Sequence, residues 1–492
     1  MIDCFSINQL NNKVDKTLRH PASLKIFFAT EMWERYGFYV VQTLLALYLA
    51  MHFKWEDARI YPLVGSFTAL TYISPVIGGW IADHLLGQKR TTIIGAIVLF
   101  FSYLFLGFTD SNISHTSMLA GIAVGTGLLK PNISSLLGNE YPEGSPHRES
   151  GFTIFYMGIN AGIMLGTTIP SFLNRHYGWS SAFLSASFGM VLALVVFVYG
   201  VYRYKIEDYR PFQYSLGKIL TAIGMVIILW LGSFYILRYP TLANSIFGLV
   251  VFLSIGFIVS SVKQEPPAQA RQTIIIGFLC LISVFFWSFY FQMFLSLTLF
   301  IARVVQPTIF GFPFPPPYYV AVQSLGIILF GILLSRHKKE LDLTQRGTRI
   351  GNKFQLAMIC MTITYAIITL VCNLNQGPEL LSPLYFIPAY LLISLAELLL
   401  SPVGLAAITL LSCHKKVSTM MGIFFVSLGL GGFLSGKLAI LTAIPAGEIS
   451  VTALKAHYAD AFIRLLCILG GATILSVLLN RAIKFMLLRT RT

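Results

Sequence analysis

The chain has 492 residues, of which 56% are hydrophobic and only 11% charged, with a mean hydropathy of +0.74 and a formal net charge of +15. A soluble domain is about 25% charged, so this composition excludes an ordinary globular enzyme or binding module and points to an all-α, polytopic membrane protein. The basic excess is no sign of nucleic acid, because the lysines and arginines gather in connections between apolar runs, as the positive-inside rule requires.

Runs suited to crossing a bilayer, which takes about 20 apolar residues, follow one another along the chain. Six lie at Leu24–Ala50, Leu63–Leu86, Ile93–Phe108, Met118–Leu137, Phe152–Leu173 and Ala182–Val201. Two more follow at Leu216–Leu237 and Ala243–Val262, then six again at Ile274–Ile301, Val320–Leu334, Phe354–Val371, Leu384–Leu411, Met420–Ile440 and Ala461–Ile483. Fourteen spans in the order six, two, six are what a major-facilitator fold with two extra central helices requires. Residues 1–205 would form the first bundle, 206–270 the inserted pair with its linkers, and 271–492 the second bundle. Placing the amino terminus in the cytoplasm puts Lys89, Arg90, Arg203, Lys205, Arg336, Lys338, Lys339, Lys415 and Lys416 inside and leaves few bases outside, Arg303 among them. Both termini are therefore expected inside.

The first span interrupts its own apolarity with Glu31, Glu34 and Arg35, at i, i+3 and i+4 on one helical face, and with Phe38 and Tyr39 a turn beyond. Charges on one stripe of a membrane helix face a bundle interior or a watery path, since exposure to lipid costs several kcal/mol each (order of magnitude). In the fourth span Lys130 precedes Pro131, which frees the carbonyl of Gly127. A buried ammonium needs a carboxylate, and Glu31 or Glu34 is the expected partner. Two acids and two bases then balance, and protonating one carboxylate, or delivering an anionic group to the bases, releases an ion pair and biases the helices to repack.

The inserted pair is almost uncharged in its middle and is expected to be a peripheral, lipid-facing hairpin without chemistry. After the ninth span of the layout, Val304 to Tyr319 holds Pro307, Pro313, Pro315, Pro316 and Pro317, which predicts an extended, stiff connection. Glu397, followed by Ser401 and Pro402, is the lone acid well inside a span of the second half. Without a basic neighbour in sequence, it is placed to carry a proton or to receive an external cation such as an amine. Bases in one bundle and an acid in the other suit a zwitterion, which points to amino acids or short peptides. Six cysteines lack metal-ligand spacing, and the first span is too long and too charged for a signal peptide, so no disulfide framework, metal site or cleavage is expected.

These residues resemble the proton-dependent oligopeptide transporter family. The first-span pattern E-x-x-E-R-F-x-Y-Y is matched by Glu31, Glu34, Arg35, Tyr36, Phe38 and Tyr39. Gly78-Gly79-Trp80-Ile81-Ala82-Asp83 through Gly87 is similar to G-G-x-x-A-D-x-x-x-G, and Phe155-Tyr156 through Asn160 and Gly162 to F-Y-x-x-I-N-x-G. The resemblance implies proton-coupled symport of di- and tripeptides by alternating access in the bacterial inner membrane, with the proton as coupling ion, no cofactor and a monomer as the unit. It further implies that Arg35 and Lys130 attract the peptide carboxylate and Glu397 holds the amino terminus. Asn160 would bond the peptide, Tyr39, Tyr72, Tyr156, Trp287 and Ser401 would line the pocket, and Glu31 and Glu34, with Arg35 and Lys130, would serve proton coupling. Asp83 is expected to pair with Lys89 or Arg90.

Three departures stand out. Phe291 occupies the place of the acid in F-W-x-x-F-E-Q, just before Gln292; Phe38 replaces a tyrosine; and Gly326, after Gln323 and Ser324, stands where asparagine is usual. An outer gate built on a seventh-helix acid is thus not expected. A same-fold proton-coupled carrier of another small anionic or zwitterionic solute or drug is the alternative reading. An enzyme is not expected, because the histidines are dispersed mostly in loops and span ends and none is near a plausible catalytic cysteine, and a channel would need symmetric rings of charge or carbonyls.

Overall fold

The computed structural model describes residues 20–109, 112–142, 147–209, 215–335, 343–412, 416–445 and 450–488. They are overwhelmingly helical. In chain order the helices are α1 (Leu24–Met51), α2 (Asp57–Ile81), α3 (Gln88–Phe108), α4 (Asn112–Asn139), α5 (Arg148–Tyr177), α6 (Trp179–Tyr204), α7 (Leu216–Arg238) and α8 (Pro240–Gln264). There follow α9 (Pro267–Tyr290), continued through a 3-10 turn by the short α10 (Ser296–Val304), then α11 (Pro317–Ser335), α12 (Leu343–Leu374), α13 (Ile387–Leu411), α14 (Val417–Ala439) and α15 (Val451–Leu488).

Twelve of these stretches, with α9 and α10 counted as one, are long and apolar enough to cross a membrane. The chain is a multi-pass membrane protein. The two long helices outside that set are α1 and α4, each of 28 residues, or about 42 Å at 1.5 Å per residue. Their length suffices; what lowers their apolarity is the polar load that includes Glu31, Glu34 and Arg35 in one and Lys130 and Asn132 in the other.

Two compact units divide the chain: Met1–Val41 with Ser74–Phe234, and Gln42–Ile73 with Tyr235–Thr492. In the first unit, α3 packs on α4 and α6, and α5 on α6. A core of Ile81, Leu86, Val124, Leu128 and Ala222 ties in α7, whose Trp230 Nε1 donates to Ser117 O at 3.2 Å. In the second unit, α12 packs on α13 and α15, α9 on α14, and α11 on α13. Helix α8 lies against α9, and its Phe247 ring meets Phe433 at 4.3 Å. The inserted pair is therefore divided, one helix in each unit, and its two helices are the least buried spans, at 17% and 11%.

Glycines set the closest crossings. Gly158, Gly162 and Gly166 repeat every four residues along α5 and present one bare stripe to α1. A Cβ on Gly162 would lie 2.3 Å from Met32 O and 2.8 Å from Arg35 Cβ, and one on Gly166 would lie 2.6 Å from Tyr36 O. Small residues at such spacing let membrane helices approach backbone to backbone. Gly78 of the G-G motif does the same for α2 against α4: its Cβ would fall 2.0 Å from Gly127 O, the carbonyl that Pro131 leaves without its helical donor.

Two expectations need correction. The proline-rich connection is not wholly extended, because Thr308–Ile309 and Phe312–Pro313 pair as an antiparallel two-stranded ribbon, β1 and β2. Phe310 and Gly311 turn it with φ of 49° and 82°, the positive pair that a tight hairpin of matching twist demands. Of the two bases expected to pair with Asp83, Lys89 is engaged elsewhere. The Lys89 ammonium donates to Ile206 O at 3.0 Å, and Asp208 takes the exposed α3 amino end by accepting from Lys89 N at 2.7 Å. Asp83 itself is exposed within a π-turn, Ala82–Leu86.

Candidate functional site

In the first unit, helical spacing brings Glu31, Glu34 and Arg35 together as expected, and all three are buried. Arg35 grips Glu34 with two parallel bonds, Nε to Oε2 and Nη2 to Oε1, the latter at 2.6 Å. Its Nε also lies 3.5 Å from Glu31 Oε1. A guanidinium fork matched to a carboxylate is the strongest and most directional side-chain ion pair. Arg35 sits 4.9 Å over the Phe38 ring, so the residue that replaces a tyrosine offers the cation an aromatic face.

Lys130 comes within electrostatic reach of Glu31, Glu34 and Arg35. The pairing expected of it is thus shared: the described ion pairs of both glutamates run to Arg35, while the Oε2 of Glu31 is buried and accepts no hydrogen bond. Tyr39 is half-buried with its ring 5.5 Å from that of Phe38. Asn160 is buried, its amide donating to Tyr156 O at 3.0 Å one turn back, and Tyr156 is 40% exposed.

One residue of this cluster escaped the sequence. Tyr103 of α3 is fully buried, its hydroxyl has no hydrogen-bond partner, and it stands within electrostatic reach of Glu34 and Arg35. In the run Phe100-Phe101-Ser102-Tyr103 nothing separates it from packing aromatics.

In the second unit, the Oε2 of Glu397 accepts from Tyr290 OH and from Gln323 Nε2, each at 2.7 Å. Among the described residues no basic side chain pairs with it. Trp287 packs edge-on to Tyr290 at 4.7 Å and stacks on Phe291 at 5.5 Å, and Tyr72 meets Phe291 at 5.4 Å. The Trp287 Nε1 is buried without an acceptor. Ser401 is half-buried one turn beyond Glu397. Gln292 is spent on structure: its amide donates to Ser435 O at 2.8 Å, and its Oε1 accepts from Ser296 Oγ at 2.6 Å.

The same unit holds an ion pair whose partners lie far apart in the sequence. Arg303 of α10 forks onto Asp57, the first residue of α2, with Nη1 to Oδ2 and Nη2 to Oδ1 both at 2.7 Å. Tyr458 OH accepts from Nη1 at 2.9 Å, and Ile444 N donates to Oδ2 at 3.2 Å. Gly65, Gly432 and Gly436 let α2 press on α14 just beyond it, a Cβ on Gly65 falling 2.7 Å from Gly436 Cα. Among the described residues no three His, Cys, Asp or Glu side chains converge as a metal site.

Residues 89–454 match a family model described as the POT family. The chain belongs to the POT family. It is 31% identical over 453 residues to the dipeptide and tripeptide permease A of Edwardsiella piscicida, covering 90% of either chain. It superposes with a TM-score of 0.80 at 25% identity on a proton dependent oligopeptide transporter solved for its substrate recognition, covering 95% of this chain and 99% of that one. A tetrameric PepTSo2 gives 0.82 at 25% identity, covering 94% and 99%. The all-α major-facilitator fold read from the span layout is thereby established. The cluster on α1, the lysine on α4 and the glutamate on α13 are charges that spans of both halves of the chain hold.

Proposed function

We infer that this POT protein is a proton-coupled symporter of di- and tripeptides, working by alternating access as a single chain in a bacterial inner membrane with both termini in the cytoplasm. Arg35 and Lys130 receive the peptide carboxylate and Glu397 its amino terminus. Asn160, Tyr39, Tyr72, Tyr156, Trp287 and Ser401 shape the remainder of the binding surface. Glu31 and Glu34 exchange the proton: protonating either one weakens its hold on Arg35, and an arriving carboxylate competes for the same guanidinium. A ligand shifts a conformational equilibrium only by its differential affinity for the two states, and this competition supplies the difference.

One observation carries the reading. Glu397 is buried, held by two neutral donors on one oxygen and matched by no cation among the described residues. A buried carboxylate in that condition can carry a proton or receive a cation that arrives from outside, and a proton-coupled peptide symporter uses both.

Purified protein in liposomes tests it. An inward acid gradient should drive accumulation of a labelled dipeptide, the amino-blocked form should compete poorly, and Lys130→Ala and Glu397→Gln should each abolish accumulation while the proteins remain monodisperse. Normal accumulation by both variants rejects the assignment, and equal competition by the blocked dipeptide turns the reading toward another small anion.

A further inference from the structure

Tyr290 stands where the pattern F-W-x-x-F-E-Q carries its second phenylalanine, so this chain has gained a hydroxyl one residue before the place where it lost the family's acid. The hydroxyl is used. Tyr290 donates to Glu397 Oε2 at 2.7 Å, beside Gln323 Nε2 at the same distance, and Gln323 Nε2 also lies 3.4 Å from Tyr290 OH. All three side chains are buried, the acid being 9% exposed. Every polar contact described at the carboxylate falls on Oε2 and none on Oε1.

The two donors are fixed from behind. The Tyr290 ring is held against Phe286, Trp287 and Phe291. Gln323 is set by the third departure: without a side chain at Gly326, α13 closes on α11 until a Cβ there would lie 2.4 Å from Ser394 Oγ. Ser394 in turn donates to Gln323 O at 2.7 Å. Ser394 and Glu397 are one helical turn apart on α13, as Gln323 and Gly326 are on α11, so the two contacts form neighbouring rungs.

We propose that Tyr290, with Gln323, is a positioning residue for Glu397 that restricts this transporter to substrates with a free amino terminus. Both donors converge on Oε2 and turn the unbonded Oε1 toward an incoming ammonium, which must then approach from one direction with its hydrogens unblocked. The hydroxyl gained at position 290 supplies polar contact close to where Phe291 and Gly326 removed it. This rests on the peptide-symport reading above, with Glu397 as the amine receptor.

The test compares KM for a labelled dipeptide with the inhibition constant of its amino-formylated form, in wild type, Tyr290→Phe and Gln323→Met proteoliposomes. Hydrogen bonds to a charged group are worth about tenfold or more in affinity. Tyr290→Phe is expected to raise KM for the free dipeptide about tenfold with kcat within twofold, and to leave the formylated inhibitor unchanged, so discrimination shrinks by the same factor. Gln323→Met should act in the same direction and decides the matter if Tyr290→Phe cannot be purified. A variant that loses kcat and both affinities together, or keeps wild-type discrimination, overturns the proposal. A wild type that does not discriminate overturns the peptide reading itself, which separates the two failures.

Discussion

Asp57→Asn is the most informative single perturbation, because the Asp57–Arg303 fork fastens the start of α2 to α10 across 246 residues of sequence. The side chains are 1% and 18% exposed. Breaking a buried pair by removing one charge costs about 3–5 kcal/mol; Arg303 is not wholly buried and Tyr458 still accepts from it, so about 2 kcal/mol is a fitting figure. If the fork exists only in the state described, that amount shifts the balance of states by about 30-fold, at 1.4 kcal/mol per tenfold. Thr442 reports the change: it is fully buried and its hydroxyl lies 3.4 Å from Tyr61 OH, which in turn points to Asp57. A single cysteine at Thr442, with the six native cysteines replaced, should react with an impermeant maleimide tens of times faster in Asp57→Asn than in its parent. Exchanging the charges, Asp57→Arg with Arg303→Asp, should slow the reaction again. An unchanged rate in Asp57→Asn, or no recovery in the exchanged pair, would refute the view that this fork is a state-dependent clasp.

Two further outcomes follow from close crossings. Gly162→Ala forces a methyl to within 2.3 Å of Met32 O, so α1 and α5 must part, with an expected loss of about 1–3 kcal/mol and a lowered midpoint of thermal unfolding in detergent. A midpoint equal to wild type would mean that the crossing gives way freely. Gly326→Asn, which reinstates the usual family residue, should destabilise for the same reason at Ser394 Oγ, and adding Ser394→Gly should recover most of the loss; a double variant no more stable than Gly326→Asn would show that Ser394 is not what excludes the asparagine.

What could be read in the sequence was whatever local spacing determines. The stripe Glu31, Glu34, Arg35 needs only 3.6 residues per turn to converge, and Glu397 announces itself because a carboxylate amid leucines has no bland reason to be there. Contacts made across long separations were hidden. Asp57 and Arg303 are 246 residues apart and each looks like an ordinary charge at the end of a span. Tyr103, Tyr290 and Gln323 belong to residue types that pack or cap in any membrane helix, and only the fold shows which acid each one faces. Asp208 meets the Lys89 backbone N–H across 119 residues, another contact with no signature in composition.

Helix α1 belongs to both units: its residues up to Val41 group with the first and those from Gln42 with the second, and α2 changes allegiance likewise between Ile73 and Ser74. A continuous helix does not shear, since its ladder of backbone bonds resists sliding far more than bending. Any cycle that separates the units must therefore either flex these two rods in mid-span or peel their far ends loose. The glycine stripe of α5 grips the near half of α1 by its main chain. In the far half of α2 the Asp57–Arg303 clasp and the bare crossing of Gly65 on Gly436 are what a peeled end would have to give up.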